Sequence, residues 1–203
     1  MNKTGHSMSK TVVNSWNDFD SLRHVIVGRA DFTCIPPTEP ATEAKIPEDS
    51  DMRGLWGPRP LHTVEVANRQ LDTLTQGLEA KGVRVDRPTP IQWNQAVTTP
   101  DFMTGTMFGC MPPRDVLLTV GKEILSAPMS FRCRYWEYLA YHDLMQRYFD
   151  EDPEFRWEQA PRPRLTDEVY QVGYFDEITL EERLRRTAAL DFGTTEHEPL
   201  FDA

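Results

Sequence analysis

Cysteine is scarce in this 203-residue chain: Cys34, Cys110 and Cys133 are odd in number, far apart, and include no CxxC pair. That spacing excludes a zinc ribbon and a disulfide framework, and it leaves three reduced, buried thiols as the expectation. The five histidines (His6, His24, His62, His142, His197) form no HxxxH-like set, so no metal site is expected. Long apolar runs are also missing. Nothing approaches the roughly 20 consecutive apolar residues of a membrane helix. Positive charge is in deficit, with 22 basic against 32 acidic residues and a net charge of −10. A nucleic-acid surface or an anionic membrane selects for the opposite balance, so neither is expected as a partner. The chain contains no GxGxxG, no GxxxxGK[ST] and no GxSxG, so dinucleotide, P-loop and α/β-hydrolase chemistry lack their motifs.

What is present describes a globular α/β protein. The 39% hydrophobic fraction, with 10% aromatics, supplies enough apolar surface for a core. The opening "MNKTGHSMSKTVV" has no apolar signal core and lacks arginine, which reads as a cytoplasmic start, unordered over residues 1–14. "RHVIVGRA" predicts a first strand ending at Gly28. Residues Thr33 to Pro60, rich in Pro, Glu and Gly, predict a long surface excursion. A helix is predicted over 61–81, with Val64, Ala67, Leu71, Leu74 and Leu78 on one face and Gly82 as its stop.

"VRVDRP" then reads as a short strand closed by Pro88. "DVLLTVGKEILSAP" predicts a hairpin, because Gly121–Lys122 suits a type II′ turn between two β-rich runs. A second helix is predicted over 131–149, with Tyr135, Tyr138, Leu139, Leu144 and Tyr148 as packing residues. "EFRWEQAP" predicts a strand, and Leu180–Leu190 a helix opened by a Thr179/Glu182 capping box. "EPLF" reads as a last strand. Hairpins interrupt an otherwise alternating order of strands and helices, which points to mixed units of roughly ββαβ type.

Six stretches carry a family resemblance: "NSWNDFDSLRHVIVGRA", "VRVDRPTPIQWN", "TTPDF", "MPPRDVLLTVGKEILSAP", "FRCRYWEYLAY" and "TTEHEPLFDA". In their order and spacing the chain resembles the glycine amidinotransferase and inosamine-phosphate amidinotransferase family. The resemblance implies a five-bladed α/β propeller of ββαβ modules, as in the guanidino-group-modifying superfamily. Residues 15–203 would form the N-terminal, incomplete part of it. It also implies chemistry: a cysteine thiolate attacks the guanidinium carbon of L-arginine, ornithine leaves, and an acceptor amine takes the amidino group from sulfur. A planar, cationic guanidinium must be gripped by carboxylates for that attack. A histidine must shuttle protons and a carboxylate must hold its tautomer.

By the same resemblance, Asp115 in "PRD" binds the substrate guanidinium, and Asp202 in "FDA" orients the catalytic histidine. The family's nucleophilic cysteine and catalytic histidine match no residue of the 203, so the chain by itself is expected to be inactive. Glycine is the expected acceptor, giving guanidinoacetate, the creatine precursor. An inosamine phosphate is the alternative, and a non-catalytic subunit or fragment of the same fold is another. A hydrolase on this scaffold, of the arginine deiminase or dimethylargininase kind, is less close in the quoted stretches. No cofactor is implied, and the full-length form is expected to be a homodimer. An open propeller would expose strand edges and self-associate.

Overall fold

A computed structural model describes residues 11–39, 51, 54–171, 173–174, 177–189, 191, 193–195, 197–198 and 200. The first strand, β1 (His24–Ile26), is short because Gly28 follows it closely. The excursion after Thr33 contains a two-residue pair, β2 (Cys34–Ile35) and β3 (Gly57–Pro58), running antiparallel. The first helix, α1 (Leu61–Glu79), starts behind Pro60 and ends ahead of Gly82, whose φ of +81° only glycine adopts freely. Its half-buried face is Val64, Ala67, Leu71, Thr75 and Leu78. Leu74, expected on that face, is instead 52% exposed. The steps from Leu71 to Thr75 and on to Leu78 follow the helical period more closely than a step to Leu74 does. The helix packs on β4 (Arg84–Asp86), which lies parallel to β1 with Val25 opposite Val85. A parallel pair needs such a crossover, and α1 supplies it.

A small hairpin not anticipated from the sequence, β5 (Val97–Thr98) and β6 (Met103–Thr104), follows. The single turn α2 (Pro113–Val116) then leads into β7 (Leu117–Val120) and β8 (Glu123–Ser126). The predicted hairpin is present, with Leu118 opposite Leu125. Gly121 has φ of +60° and Lys122 is not left-handed, which is the type II′ pattern.

The helix expected over 131–149 is not continuous. Two 3₁₀ turns, Arg132–Arg134 and Glu137–Tyr141, precede α3 (His142–Glu151). The tighter winding aligns residues three apart, so Arg134, Glu137 and Ala140, all buried, fall on one line. β9 (Arg156–Gln159) joins β8 in parallel, completing the order β7, β8, α3, β9. That is one ββαβ unit. A third 3₁₀ turn (Asp167–Val169) and α4 (Leu180–Ala188) follow. At α4 the Thr179 hydroxyl accepts the Glu182 amide at 3.1 Å, as a cap should. The Glu182 carboxylate is engaged by Arg185 and Arg186. Of the expected strand "EPLF", only Glu198 and Leu200 are among the described residues, and neither is in a strand.

Among the described residues the strands form four small separate sheets, three of two strands and one of three, and none closes on itself. The chain is thus α/β. The main core gathers Trp93, Val116, Ile124, Tyr141, Leu144 and Tyr148 between the three-stranded sheet and α3. A second cluster holds Phe102, Leu165, Val169 and Tyr170. Residues 11–14, expected to be unordered, reach this core: Val12 and Val13 are buried, and the Val12 amide donates to Asp152 at 3.0 Å. Two adjacent valines and one carboxylate partner outweigh the polar composition around them. Residues 1–10 lie outside the described residues.

Candidate active site around Asp115

Asp115 occupies the third position of α2, two residues ahead of β7. Pro112 and Pro113 set this turn. Proline at the first helical position has the φ a helix needs and lacks only an amide that would be unpaired there. Behind the turn the chain is anchored on both sides. Val116 is buried and its carbonyl accepts the Ala127 amide at 2.8 Å. Ahead of it, the carbonyl of Cys110 accepts the Arg29 amide at 3.3 Å and the Tyr141 hydroxyl at 3.2 Å. Gly28 allows the close approach: a Cβ there would lie 2.0 Å from the Met111 carbonyl oxygen.

The carboxylate of Asp115 meets a cation from the protein itself. Nη1 of Arg134 donates to Oδ2 of Asp115 at 3.1 Å. Nε and Nη2 of the same guanidinium donate to Oε2 of Glu137 at 3.0 and 2.8 Å. The guanidinium lies 5.5 Å from the centroid of the Phe108 ring. Arg134 and Glu137 are buried, whereas the Asp115 side chain is 39% exposed. Among the described residues, these three charges sum to one net negative charge, and its exposed member is Asp115. Such a group can hold a planar cation from solution. Neither Arg134 nor Glu137 was singled out from the sequence. The available signal was the R-x-x-E spacing inside the aromatic run "RYWEY", which looked like core packing.

The remaining expected or conceivable site residues are elsewhere. Asp202 lies outside the described residues. Cys34, Cys110 and Cys133 are all buried. Burial raises the Cys34 and Cys133 thiols above the usual range and pushes Cys110 up to about 12. A thiol so placed is a poor nucleophile, because the attacking species is the thiolate. Among the described histidines none contacts Asp115. His24 bonds to Asp86 and Val12, His142 packs on Trp157, and His197 faces Glu168. No group of three or more His, Cys, Asp or Glu suited to a metal ion occurs among the described residues.

A separate cleft of about 240 Å³ is lined by Pro37, Thr38, Glu39, Thr104, Gly105 and Arg132, among others. Glu39 accepts the Arg132 amide at 3.1 Å there, yet burial outweighs this and pushes its carboxyl up to about 7. Arg132 itself reaches the Leu165 carbonyl at 2.9 and 2.7 Å and Asp167 at 2.8 Å. The cleft and the Asp115 cluster therefore share one 3₁₀ turn, with Arg132 serving the first and Arg134 the second.

Comparisons with known proteins extend over nearly the whole chain. No family model matches it. It is 38% identical over 199 residues to the mitochondrial glycine amidinotransferase of Gallus gallus, spanning 94% of this chain and 45% of that protein. Against the L-arginine:L-lysine amidinotransferase of Pseudomonas savastanoi pv. phaseolicola the identity is 34% over 206 residues, spanning 100% of this chain and 54% of that one. Two solved structures are similar. One is an amidinotransferase of the saxitoxin biosynthetic pathway from Microseira wollei, with TM-score 0.79, 33% identity, and coverage of 94% of this chain and 53% of that one. The other is the inosamine-phosphate amidinotransferase of Streptomyces griseus, with TM-score 0.72, 36% identity, and coverage of 79% and 46%. The chain spans about half the length of the relatives it matches.

Proposed function

Since this chain is a homologue of the amidinotransferases, we propose that it supplies the arginine-gripping part of an enzyme that moves the amidino group of L-arginine to an amine. The observation that carries the reading is Asp115: a half-open carboxylate on the Pro112–Pro113 turn, with a net negative charge among the described residues of its cluster. It would hold the substrate guanidinium by paired hydrogen bonds, presenting the central carbon for attack. In this reading Asp202 steers the imidazole that moves protons between the departing and arriving nitrogens. The thiolate that carries the amidino group is not one of the described cysteines, since all three are buried and hard to ionise. In this reading that thiolate and the imidazole come from polypeptide outside the described residues, which is supported by the burial of the three thiols and by the separation of the described histidines from Asp115. The described residues alone are expected to turn nothing over. The enclosing architecture in this reading is the five-bladed propeller, to which the β7–β8–α3–β9 unit contributes one module.

Glycine is the acceptor we favour, giving guanidinoacetate, and support for it is the name of the Gallus gallus relative. The Pseudomonas relative is named for lysine and the Streptomyces structure for an inosamine phosphate, so those amines are the competing acceptors. The full-length form is read as a cytoplasmic homodimer. Large apolar side chains such as Trp16, 72% exposed, and Phe19, 95% exposed, support a subunit contact. No helix among the described residues is long and apolar enough to cross a membrane. The net charge of −10 argues against a nucleic-acid partner.

Calorimetric titration of the chain with L-arginine tests the reading. Binding is expected, with loss of at least about tenfold in affinity for Asp115→Asn, the usual scale for one charge-assisted hydrogen bond. Equal affinities for the two proteins would remove Asp115 from the site. Where turnover is restored by added polypeptide, ornithine with guanidinoacetate supports transfer to glycine, whereas citrulline would mean hydrolysis.

A further inference from the structure

Arg134 is an odd neighbour for a residue that must attract a cation. A second guanidinium beside Asp115 weakens its pull on arginine unless something cancels that charge. Glu137 does so, since it is buried and takes two of the Arg134 N–H groups on one oxygen. A further donor of the same guanidinium, Nη1, engages Oδ2 of Asp115. A planar fork with several fixed donors spans both carboxylates at once, which the point charge of a lysine does not do. The Phe108 ring near the guanidinium adds a further restraint.

We infer that Arg134 is a positioning residue that fixes the rotation of the Asp115 carboxylate, with Glu137 as its built-in counter-charge. The inference rests on the reading of Asp115 as the guanidinium-gripping group. Its consequence is selectivity. A carboxylate held at one angle meets the flat, two-pronged edge of a guanidinium in register. A carboxylate free to turn attracts any cation of the same charge almost equally. Arg134 therefore sets the preference for L-arginine over an ammonium analogue such as L-lysine in the arginine site, more than it sets the gross affinity for cations.

The test compares Kd values for L-arginine and L-lysine in the wild-type chain, Arg134→Lys, and the doubly neutral Arg134→Gln/Glu137→Gln. The double variant avoids stranding a buried carboxylate, a defect that would unfold the chain for an unrelated reason. Expected is a drop of about 10- to 100-fold in the arginine-over-lysine preference in each folded variant, the range for lost orientation of a binding group. Far-UV circular dichroism and urea midpoints identify the folded variants. A folded variant that keeps the wild-type preference overturns the inference, even if its overall affinity or stability falls. In the unmodified chain, the side-chain ¹⁵N signals of Arg134 should shift on adding L-arginine but not when Asp115→Asn is titrated. Unmoved signals beside clear arginine binding also overturn it. Should the wild-type chain bind no arginine, and Asp115→Asn behave the same, the reading of Asp115 fails first and the role of Arg134 with it.

Discussion

Nε2 of His24 lies 2.7 Å from Oδ2 of Asp86, joining adjacent parallel strands through their side chains. The Tyr148 hydroxyl donates to the same oxygen at 2.9 Å, and Arg84 reaches it at 2.9 Å. Nδ1 of His24 sits 3.1 Å from the Val12 carbonyl, which can only accept, so that nitrogen carries a proton. Asp86 thus ties β1, β4 and α3 together, and His24 extends the network to the segment at Val12. Burial by itself would raise the Asp86 carboxyl, yet the His24 and Tyr148 bonds and the Arg84 charge bring it down to about 2.

The Asp86 shift has a definite sign. A carboxylate lowered on folding contributes stability that is present above its unfolded pKa of roughly 4 and is lost as pH falls through about 2. Its size is on the order of 2 kcal/mol. Urea midpoints between pH 2 and 6 should fall across that window in the wild type. Asp86→Asn should start lower and change less. Parallel curves for the two proteins would show that Asp86 carries no such linkage.

Glu39 acts in the opposite direction. Its carboxyl is raised to about 7, so the stability it contributes is complete below roughly 4.5 and is lost as pH rises through about 7. With partial exposure the effect amounts to about 1–2 kcal/mol. Glu39→Gln should therefore be more stable than the wild type at pH 8 and no better at pH 4. Thermal melts at the two pH values decide it, and a gain of equal size at both would assign the change to something other than ionisation.

Gly28→Ala should destabilise the chain by about 2–3 kcal/mol, because the new methyl would lie 2.0 Å from backbone oxygen rather than from a movable side chain. The displaced backbone at Met111 leads directly into the Asp115 turn. Arginine affinity should fall as well, although Gly28 touches no substrate. Denaturation together with calorimetry checks both, and a variant with unaltered stability would refute the close approach.

The three thiols should resist a disulfide reagent such as DTNB at pH 8 in the native chain and react fully in guanidinium. Burial leaves each with little thiolate and little access. Rapid native labelling of Cys34, Cys110 or Cys133 would reopen that residue as a nucleophile.

The sequence by itself determined the elements whose cause is local. Helix α1 follows from a 3.6-residue apolar period and a glycine stop, and the β7–β8 hairpin from one Gly-Lys pair between β-rich runs. The family resemblance also came from linear order, since motif spacing is a property of the chain, and it marked Asp115. The tertiary structure decided what depends on residues distant in sequence. It replaced the first half of the 131–149 helix by two 3₁₀ turns, on which Arg134, Glu137 and Ala140 are all buried. It packed Val12 and Val13 into the core through a partner 140 positions away. It set Arg134 between Asp115 and Glu137, so that the buried Glu137 offsets the guanidinium and the exposed Asp115 keeps its own charge. Periodicity records which side of an element is apolar, whereas the charge balance of a site depends on which side chains the packing brings within hydrogen-bond distance.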